Sequence, residues 1–263
     1  AHDARVLMAH VLDLRHNDVL LRLRDPLTPS EERLVRELLY LRQRRMPLRY
    51  VTRTTYFAGL DLRTDDRALV PRHETELLVE AVLERLPQVG LEPTELLADI
   101  GCGAGGIGLA LASRTPGLRV ILTDISKPAL ELAGENARLL GLTDRVTLLA
   151  GSYVEPLFAS GLADCVGVLV CNPPYVRPHE MKMLDPEVHA EPRVAVTSPA
   201  RDGLEGYRVL TAQIGRLPHL RLLGVEVGYA QETDVADMFA PFGEVEVLPD
   251  LSGIERVVIL HVR

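Results

Sequence analysis

Apolar and polar positions along the chain follow two different periods. Val6, Leu7, Val11, Leu12 and Leu14, and then Leu34, Val35, Leu38, Leu39 and Leu41, recur at helical spacing. Thr28-Pro29-Ser30-Glu31 reads as a capping box with Pro at the first helical position, and Pro47 stops the second run. The pattern predicts a small helical unit over residues 1–47. Residues 48–70 change character. Tyr50, Val51, Thr54, Thr55, Tyr56 and Phe57 are β-formers, followed by Ala58-Gly59 and the short segment LDLRT. These predict a β-hairpin connector.

Pro71 to Glu76 then lead into an apolar helix, Leu77 to Leu86. Beyond residue 95 strands and helices alternate. Leu96–Ile100, Val120–Asp124, Val146–Leu149 and Val166–Cys171 read as buried strands, and Ile107–Ser113 as a helix. Ser126 can cap a helix running to Leu140, with Gly141 after its end. Gly224–Gly228, a helix near Thr233–Phe239, and strands around Val245 and Val257 follow. The alternation predicts an α/β fold over residues 71–263: a doubly wound, mostly parallel, Rossmann-like sheet whose last strand pair can be antiparallel.

Composition changes this picture little. The chain has 263 residues, is 47% hydrophobic and 25% charged, and can bury a full core. No window reads as a membrane span, and the charged stretch AHDARVLMAHVLDLRHND has no signal-peptide core. Cys102, Cys165 and Cys171 have no metal or redox spacing, so a reduced cytoplasmic compartment is expected. A net charge of −8 argues against broad capture of nucleic acid. Residues 1–53 nevertheless hold 11 Arg against 7 acids. Arg42, Arg44, Arg45, Arg49 and Arg53 form the densest patch, either favourable charge at a helix end or a surface for docking a partner.

Two segments carry the candidate chemistry. Gly101-Cys102-Gly103-Ala104-Gly105-Gly106 lies between a strand and a helix, where glycines let backbone N–H groups approach a ligand. Asp124, at the end of the next strand, is placed to accept from ribose hydroxyls. The turn fits NAD as well as S-adenosylmethionine, because Gly106 completes a G-x-G-x-x-G pattern. The second segment is Asn172-Pro173-Pro174-Tyr175, which follows the apolar run VGVLVC. Two prolines fix φ and remove two N–H donors, leaving carbonyl acceptors and the Asn amide. Such a corner can end a strand as a plain turn, or it can grip an –NH₂ group. Hydride transfer has no use for an amide clamp, so the corner favours S-adenosylmethionine.

In this order and on successive strands, the glycine turn, Asp124 and Asn172–Tyr175 resemble the class I S-adenosylmethionine-dependent amino-methyltransferases. The segments TTYFAGLDLRTDDRALVPRHETELLVE, DISKPALELAGENARLLGL, EVHAEPRVA, DGLEGYR and DLSGIERVVI are similar to the HemK/PrmC-type peptide chain release factor glutamine N5-methyltransferases. The resemblance spans nearly the whole chain and implies a methyltransferase sheet that methylates the glutamine of a Gly-Gly-Gln motif in a release factor, with the N-terminal helices docking that partner. It implies that Gly101, Cys102, Gly103, Ala104, Gly105 and Asp124 hold the methyl donor, with Tyr153 near its adenine. It implies that Asn172, Pro173, Pro174 and Tyr175 hold the acceptor amide, Asn172 also bordering the donor, with Phe57 beside the substrate pocket. Of these, Asn172, Pro173 and Tyr175 would carry catalysis.

Departures from the family pattern are His73 for Pro, Ser152 for an acid before Tyr153, Ser198-Pro199 for a Gly pair, and a missing Pro-Gly-Gly before Gly224. Two other readings remain: an N-methyltransferase of exocyclic amines in RNA or DNA bases, and a non-catalytic protein that keeps the fold. His179 and His189 share one apparent loop but lack a ligand pattern, so no metal is expected. Cys102 and Cys171 flank the site as small hydrophobes rather than nucleophiles.

Overall fold

A computed structural model describes residues 2–15, 17–92 and 94–263. The N-terminal unit comprises α1 (His2–Val11), a 3₁₀ turn over Asp18–Arg22, α2 (Pro29–Gln43) and α3 (Leu48–Thr52). Thr28 caps α2 as read. Its hydroxyl accepts from the Glu31 N–H at 3.3 Å, and the Glu31 carboxylate accepts from the Thr28 N–H at 2.6 Å. Leu7, Leu38 and Val51 form the buried centre of this unit, which brings α1, α2 and α3 together.

The β-forming residues Tyr50 and Val51 lie in α3, a correction to the strand character expected there. Tertiary burial overrides propensity at this point. Tyr50, Val51 and Thr52 are all buried, and the Tyr50 hydroxyl donates to the Ala68 carbonyl at 2.6 Å. The hairpin itself is shorter than residues 48–70, pairing β1 (Thr54–Phe57) with β2 (Leu60–Arg63). Ala58 and Gly59 both have positive φ, 46° and 90°, the backbone that a tight two-residue hairpin turn requires. Phe57 and Leu62 are each 1% exposed and join the core beneath α5, defined below. Full burial of such side chains stabilises by ~1.5–3 kcal/mol each, which fastens the hairpin to the larger domain. Asn136 completes the attachment. Its side chain accepts from the Arg63 N–H at 2.8 Å and donates to the Arg63 and Ala104 carbonyls at 3.1 and 2.9 Å.

The remaining elements are α4 (Glu76–Val89), β3 (Leu96–Ile100), α5 (Gly106–Arg114), β4 (Val120–Asp124), α6 (Lys127–Leu139), β5 (Val146–Ala150), α7 (Glu155–Ala159), β6 (Val166–Cys171), α8 (Arg193–Val196), α9 (Glu205–Ile214), β7 (Leu222–Glu226), α10 (Glu232–Phe239), β8 (Gly243–Pro249) and β9 (Glu255–Val262). Seven strands form one sheet in the order β5-β4-β3-β6-β7-β9-β8. The first five are parallel neighbours, while β9 runs antiparallel to both β7 and β8. One apolar layer packs α4, α5 and α6 on the sheet, through Leu78, Val82, Leu109 and Ala133. The other packs α9 and α10 through Tyr207, Leu210, Val235 and Phe239.

Ser126 caps α6 by accepting from the Ala129 N–H, and Gly141 follows with φ 67°. The helix α9 carries no sequence-based expectation, and β7 begins two residues before Gly224. From β3 the chain winds outward to β4 and β5, then returns to place β6 on the other side of β3. Strand order reverses between β3 and β6, the position at which a doubly wound sheet opens a crevice at its carboxyl end.

Candidate active site at the carboxyl ends of β3 and β6

Ile100 pairs with Cys171 in register, so Gly101 and Asn172 leave the sheet side by side. Together they border a cavity of about 310 Å³. Ten of the expected site residues line it: Phe57, Gly101, Cys102, Gly103, Ala104, Asp124, Tyr153, Asn172, Pro173 and Pro174. Gly105 and Tyr175 do not. Gly105 caps α5 with φ 84° and faces inward, where an added Cβ would come within 2.9 Å of Leu109 and 3.2 Å of Ala133. Tyr175 lines an adjoining cavity of about 210 Å³ with Leu69, Arg72, Leu184, Val188 and Val196. Asn172, Pro173 and Pro174 line both cavities, so the rigid corner stands between them.

The glycine loop owes its shape to three left-handed residues, Gly101, Gly103 and Gly105. Asp124 braces it. One carboxylate oxygen accepts from the Gly103 N–H at 2.9 Å and the other from the Ser126 N–H at 2.8 Å. Burial raises the Asp124 carboxyl above its ordinary value, while the two N–H donors pull it back. Beneath the loop, Asp99 is fully buried and accepts from the Gly108 N–H at 2.8 Å. Its second oxygen has no hydrogen-bond partner among the described residues. Burial lifts the Asp99 carboxyl to about 7. Burial also pushes the Cys102 and Cys171 thiols well up, which keeps both protonated and inert as nucleophiles.

Asn172 is held by residues that sequence reasoning missed. Its Nδ2 donates to Glu226 Oε2 at 2.9 Å and to Thr75 Oγ1 at 3.2 Å. The Thr75 hydroxyl donates to the same Glu226 oxygen at 2.5 Å, and the Tyr175 hydroxyl donates to Glu226 Oε1 at 3.0 Å. Glu226 is 1% exposed, and burial raises its carboxyl despite the hydrogen bonds from Thr75 and Tyr175. Gln231 braces the corner from outside, donating to the Tyr175 carbonyl at 3.1 Å. A signal for Glu226 was present: an acid closing the apolar strand LLGVE, at the end of the sheet where ligands bind. Thr75 lies in the run His73-Glu74-Thr75-Glu76, which reads as a candidate site or, more commonly, as an acid-rich helix start, and Gln231 has no comparable local signal.

Other residues take structural positions. Arg72 pairs with the buried Glu191 at 2.6 Å in the wall shared by the two cavities. In the basic patch, Arg42 pairs with Asp3 at 2.6 Å and Glu187 at 2.7 Å, and Arg45 reaches Glu187 at 3.0 Å. Part of the patch therefore ties α2 to the wall of the second cavity. His73 pairs with Glu76 at 3.1 Å at the start of α4. Among the described residues, no group of three or more His, Cys, Asp or Glu is arranged to hold a metal ion. Nor is any described helix long and apolar enough to cross a membrane.

Known proteins are similar to this chain in sequence and in fold. The profile of the methyltransferase small domain matches residues 73–188, and that of the PrmC N-terminal domain matches residues 1–52. A release factor glutamine methyltransferase from Moorella thermoacetica is 39% identical over 99% of this chain and 91% of its own length. Another, from Cereibacter sphaeroides, is 37% identical over 98% of this chain and 90% of its own. Among solved structures, the human METTL16 catalytic domain in complex with a MAT2A 3′UTR hairpin superposes with TM-score 0.60 at 13% identity, covering 89% of this chain and 82% of that one. The human METTL16 N-terminal domain in complex with SAH gives TM-score 0.52 at 14% identity, covering 77% and 76%. At such identity these two bear on the fold alone, a methyltransferase fold. With the relatives' identity running the length of both parts of the molecule, the chain belongs to the release factor glutamine methyltransferase family.

Proposed function

We propose that this protein transfers a methyl group from S-adenosylmethionine to the side-chain amide nitrogen of a glutamine, in the Gly-Gly-Gln motif of a peptide chain release factor. The observation that carries the reading is the adjacency of Gly101 and Asn172 across the β3–β6 switch point, which sets a nucleotide-type loop and an amide-binding corner on one cavity. The residues fit the donor. A Cβ on Gly101 would meet nothing within 4 Å, so the loop backbone faces open space, and the Asp124 carboxylate lines that space. Gly101, Cys102, Gly103 and Ala104 would hold the donor by their backbone, Asp124 would accept from its ribose hydroxyls, and Tyr153 would border its adenine. Gly105 would act by shaping the loop.

Bound there, S-adenosylmethionine supplies an electrophilic methyl group on a sulfonium. The chain's task is the acceptor, because an amide nitrogen is a poor nucleophile whose lone pair is delocalised into its carbonyl. The Asn172 side-chain oxygen and the Pro173 carbonyl would take the two amide hydrogens and turn the lone pair into the cavity. Tyr175 would steady the amide from the neighbouring cavity, with Phe57 and Pro174 as walls. Orientation of this kind is worth several powers of ten in rate, and the apolar lining from Phe57, Pro71, Ile100 and Ile107 strengthens each polar contact. Asp124 accepts from the Gly103 and Ser126 N–H groups and its remaining lone pairs would go to the ribose hydroxyls, so it is not assigned the part of a general base.

The N-terminal helices, residues 1–47, joined through the connector 48–70 to the methyltransferase domain, residues 71–263, would dock the release factor. Leu20, Leu21, Leu23 and Tyr40 present exposed apolar surface on that unit. A cytoplasmic location follows from such a partner. The test is to incubate the protein with methyl-labelled donor and either a release factor or bulk ribosomal RNA. Label on the release factor glutamine is expected; label in the RNA alone would assign the clamp to a base amine.

A further inference from the structure

We infer that Glu226 is a positioning residue that fixes the polarity of the Asn172 amide, turning its oxygen toward the acceptor; this rests on the glutamine-clamp reading above. A side-chain amide is nearly symmetric in shape, so packing alone distinguishes its oxygen from its nitrogen poorly. A rotation of half a turn about the last bond of Asn172 would present NH₂ to the substrate instead. Two donors would then face each other and the clamp would repel the amide it should bind. The corner needs a device that selects one rotamer.

Glu226 supplies it. An ionised carboxylate only accepts, and Glu226 Oε2 lies 2.9 Å from Asn172 Nδ2. Both oxygens are further committed as acceptors, by the Thr75 hydroxyl at 2.5 Å and the Tyr175 hydroxyl at 3.0 Å. A flipped Asn172 would set its oxygen against a buried carboxylate oxygen, a costly contact where water cannot enter. Thr75 follows Glu226 in this choice: its one hydroxyl proton goes to Glu226 Oε2, which leaves it only an acceptor toward Asn172 Nδ2. The Glu226 backbone is anchored too: its carbonyl accepts from the buried Tyr207 hydroxyl at 2.9 Å. Glu226 itself lines neither cavity, so it acts through Asn172 and not on the substrate.

The inference predicts a specific rescue. Glu226→Gln keeps the shape but can donate as well as accept, which lets both amides flip together; single-turnover transfer should fall about tenfold, the loss of one charge-assisted hydrogen bond. Asn172→Asp alone sets two carboxylates together and should lose roughly a hundredfold or more. In the double variant, the amide introduced by Glu226→Gln donates to the carboxylate introduced by Asn172→Asp, whose free oxygen again accepts from the acceptor amide. Transfer should therefore exceed that of Asn172→Asp by about tenfold, a non-additive coupling, while donor affinity by calorimetry changes by no more than a few-fold in all three. Penalties that multiply, or donor affinity falling in step with rate, would overturn the assignment and leave Glu226 a merely structural acid. Should a variant fail to fold, wild-type NMR gives the same answer. One proton of the Asn172 side-chain NH₂ should be strongly downfield and slow to exchange; two unshifted, fast-exchanging protons would refute it. Failure of the glutamine reading looks different: the wild type would then methylate another amine, on which the same variants can be compared.

Discussion

The Gly103 N–H donates to Asp124 Oδ2 across 2.9 Å, so the acid that closes β4 also shapes the loop that closes β3. One side chain thereby does two things: it pins the left-handed loop and presents carboxylate lone pairs to the cavity. Asp124→Ala removes both. Charge-assisted hydrogen bonds of this kind contribute ~1.5–3 kcal/mol, so donor affinity should fall on the order of tenfold to a hundredfold. Calorimetric titration with the donor checks this; an unchanged Kd would place the donor elsewhere.

Gly206 presses on the clamp from the α9 side. A Cβ there would lie 2.7 Å from Pro173 Cβ and 2.9 Å from the Tyr153 hydroxyl. Gly206→Ala gains up to about 1 kcal/mol of helix propensity and loses ~1–3 kcal/mol to overpacking, so stability should fall by roughly 0–2 kcal/mol. At contacts this short the Pro173 corner and the Tyr153 hydroxyl must move aside. Transfer should therefore slow by roughly tenfold while Tm falls by several degrees at most, since catalysis by orientation is sensitive to small displacements. A fall in Tm with normal kcat would show that the strain is absorbed away from Pro173.

Asp99 makes stability depend on pH. Its carboxyl sits at about 7 in the folded protein, against 3.8 for an ordinary Asp, because it is buried. Between those values the folded state holds a proton that the unfolded chain has lost. Its contribution is therefore fully present below about pH 4 and is lost as pH rises through about 7. Asp99→Asn keeps an acceptor for the Gly108 N–H and carries no charge. Between pH 5 and pH 8 the wild-type Tm should drop by several degrees more than that of the variant. Parallel Tm curves would mean that Asp99 is charged throughout.

Arg42 and Glu187, 2.7 Å apart, join the N-terminal helices to the segment that walls the second cavity. Partly exposed pairs stabilise weakly, ~0–1 kcal/mol, so Glu187→Gln should leave Tm and donor affinity nearly unchanged. Its effect should fall on the protein substrate, raising KM for the release factor several-fold. If only Tm moved, the pair would serve folding and not docking.

Much of this architecture is legible in the chain because its signals are local. The Thr28 capping box, the Ser126 cap, the Ala58-Gly59 turn and the run Val166–Cys171 each lie within a few residues, and the structure places all four as read. Residues 48–52 mislead, since aromatic and β-branched side chains serve a helix equally well once tertiary contacts bury them. The site divides in the same way. Gly101–Ala104, Asp124 and Asn172–Tyr175 are contiguous motifs, and the fold brings all but Tyr175 to one cavity, with Tyr175 in the cavity beside it. Glu226 and Thr75 reach Asn172 from 54 and 97 residues away, and only the fold shows that they meet there.

The most direct test of the account uses Asn172→Ala, with the methyl-transfer rate on a release factor and the donor Kd measured on the same preparation. The clamp acts on the acceptor. Transfer should therefore fall by about a hundredfold or more, while donor affinity changes by no more than a few-fold. A variant that loses rate and donor affinity equally, or that keeps transferring at the wild-type rate, would contradict the assignment of Asn172 as the group that grips the amide.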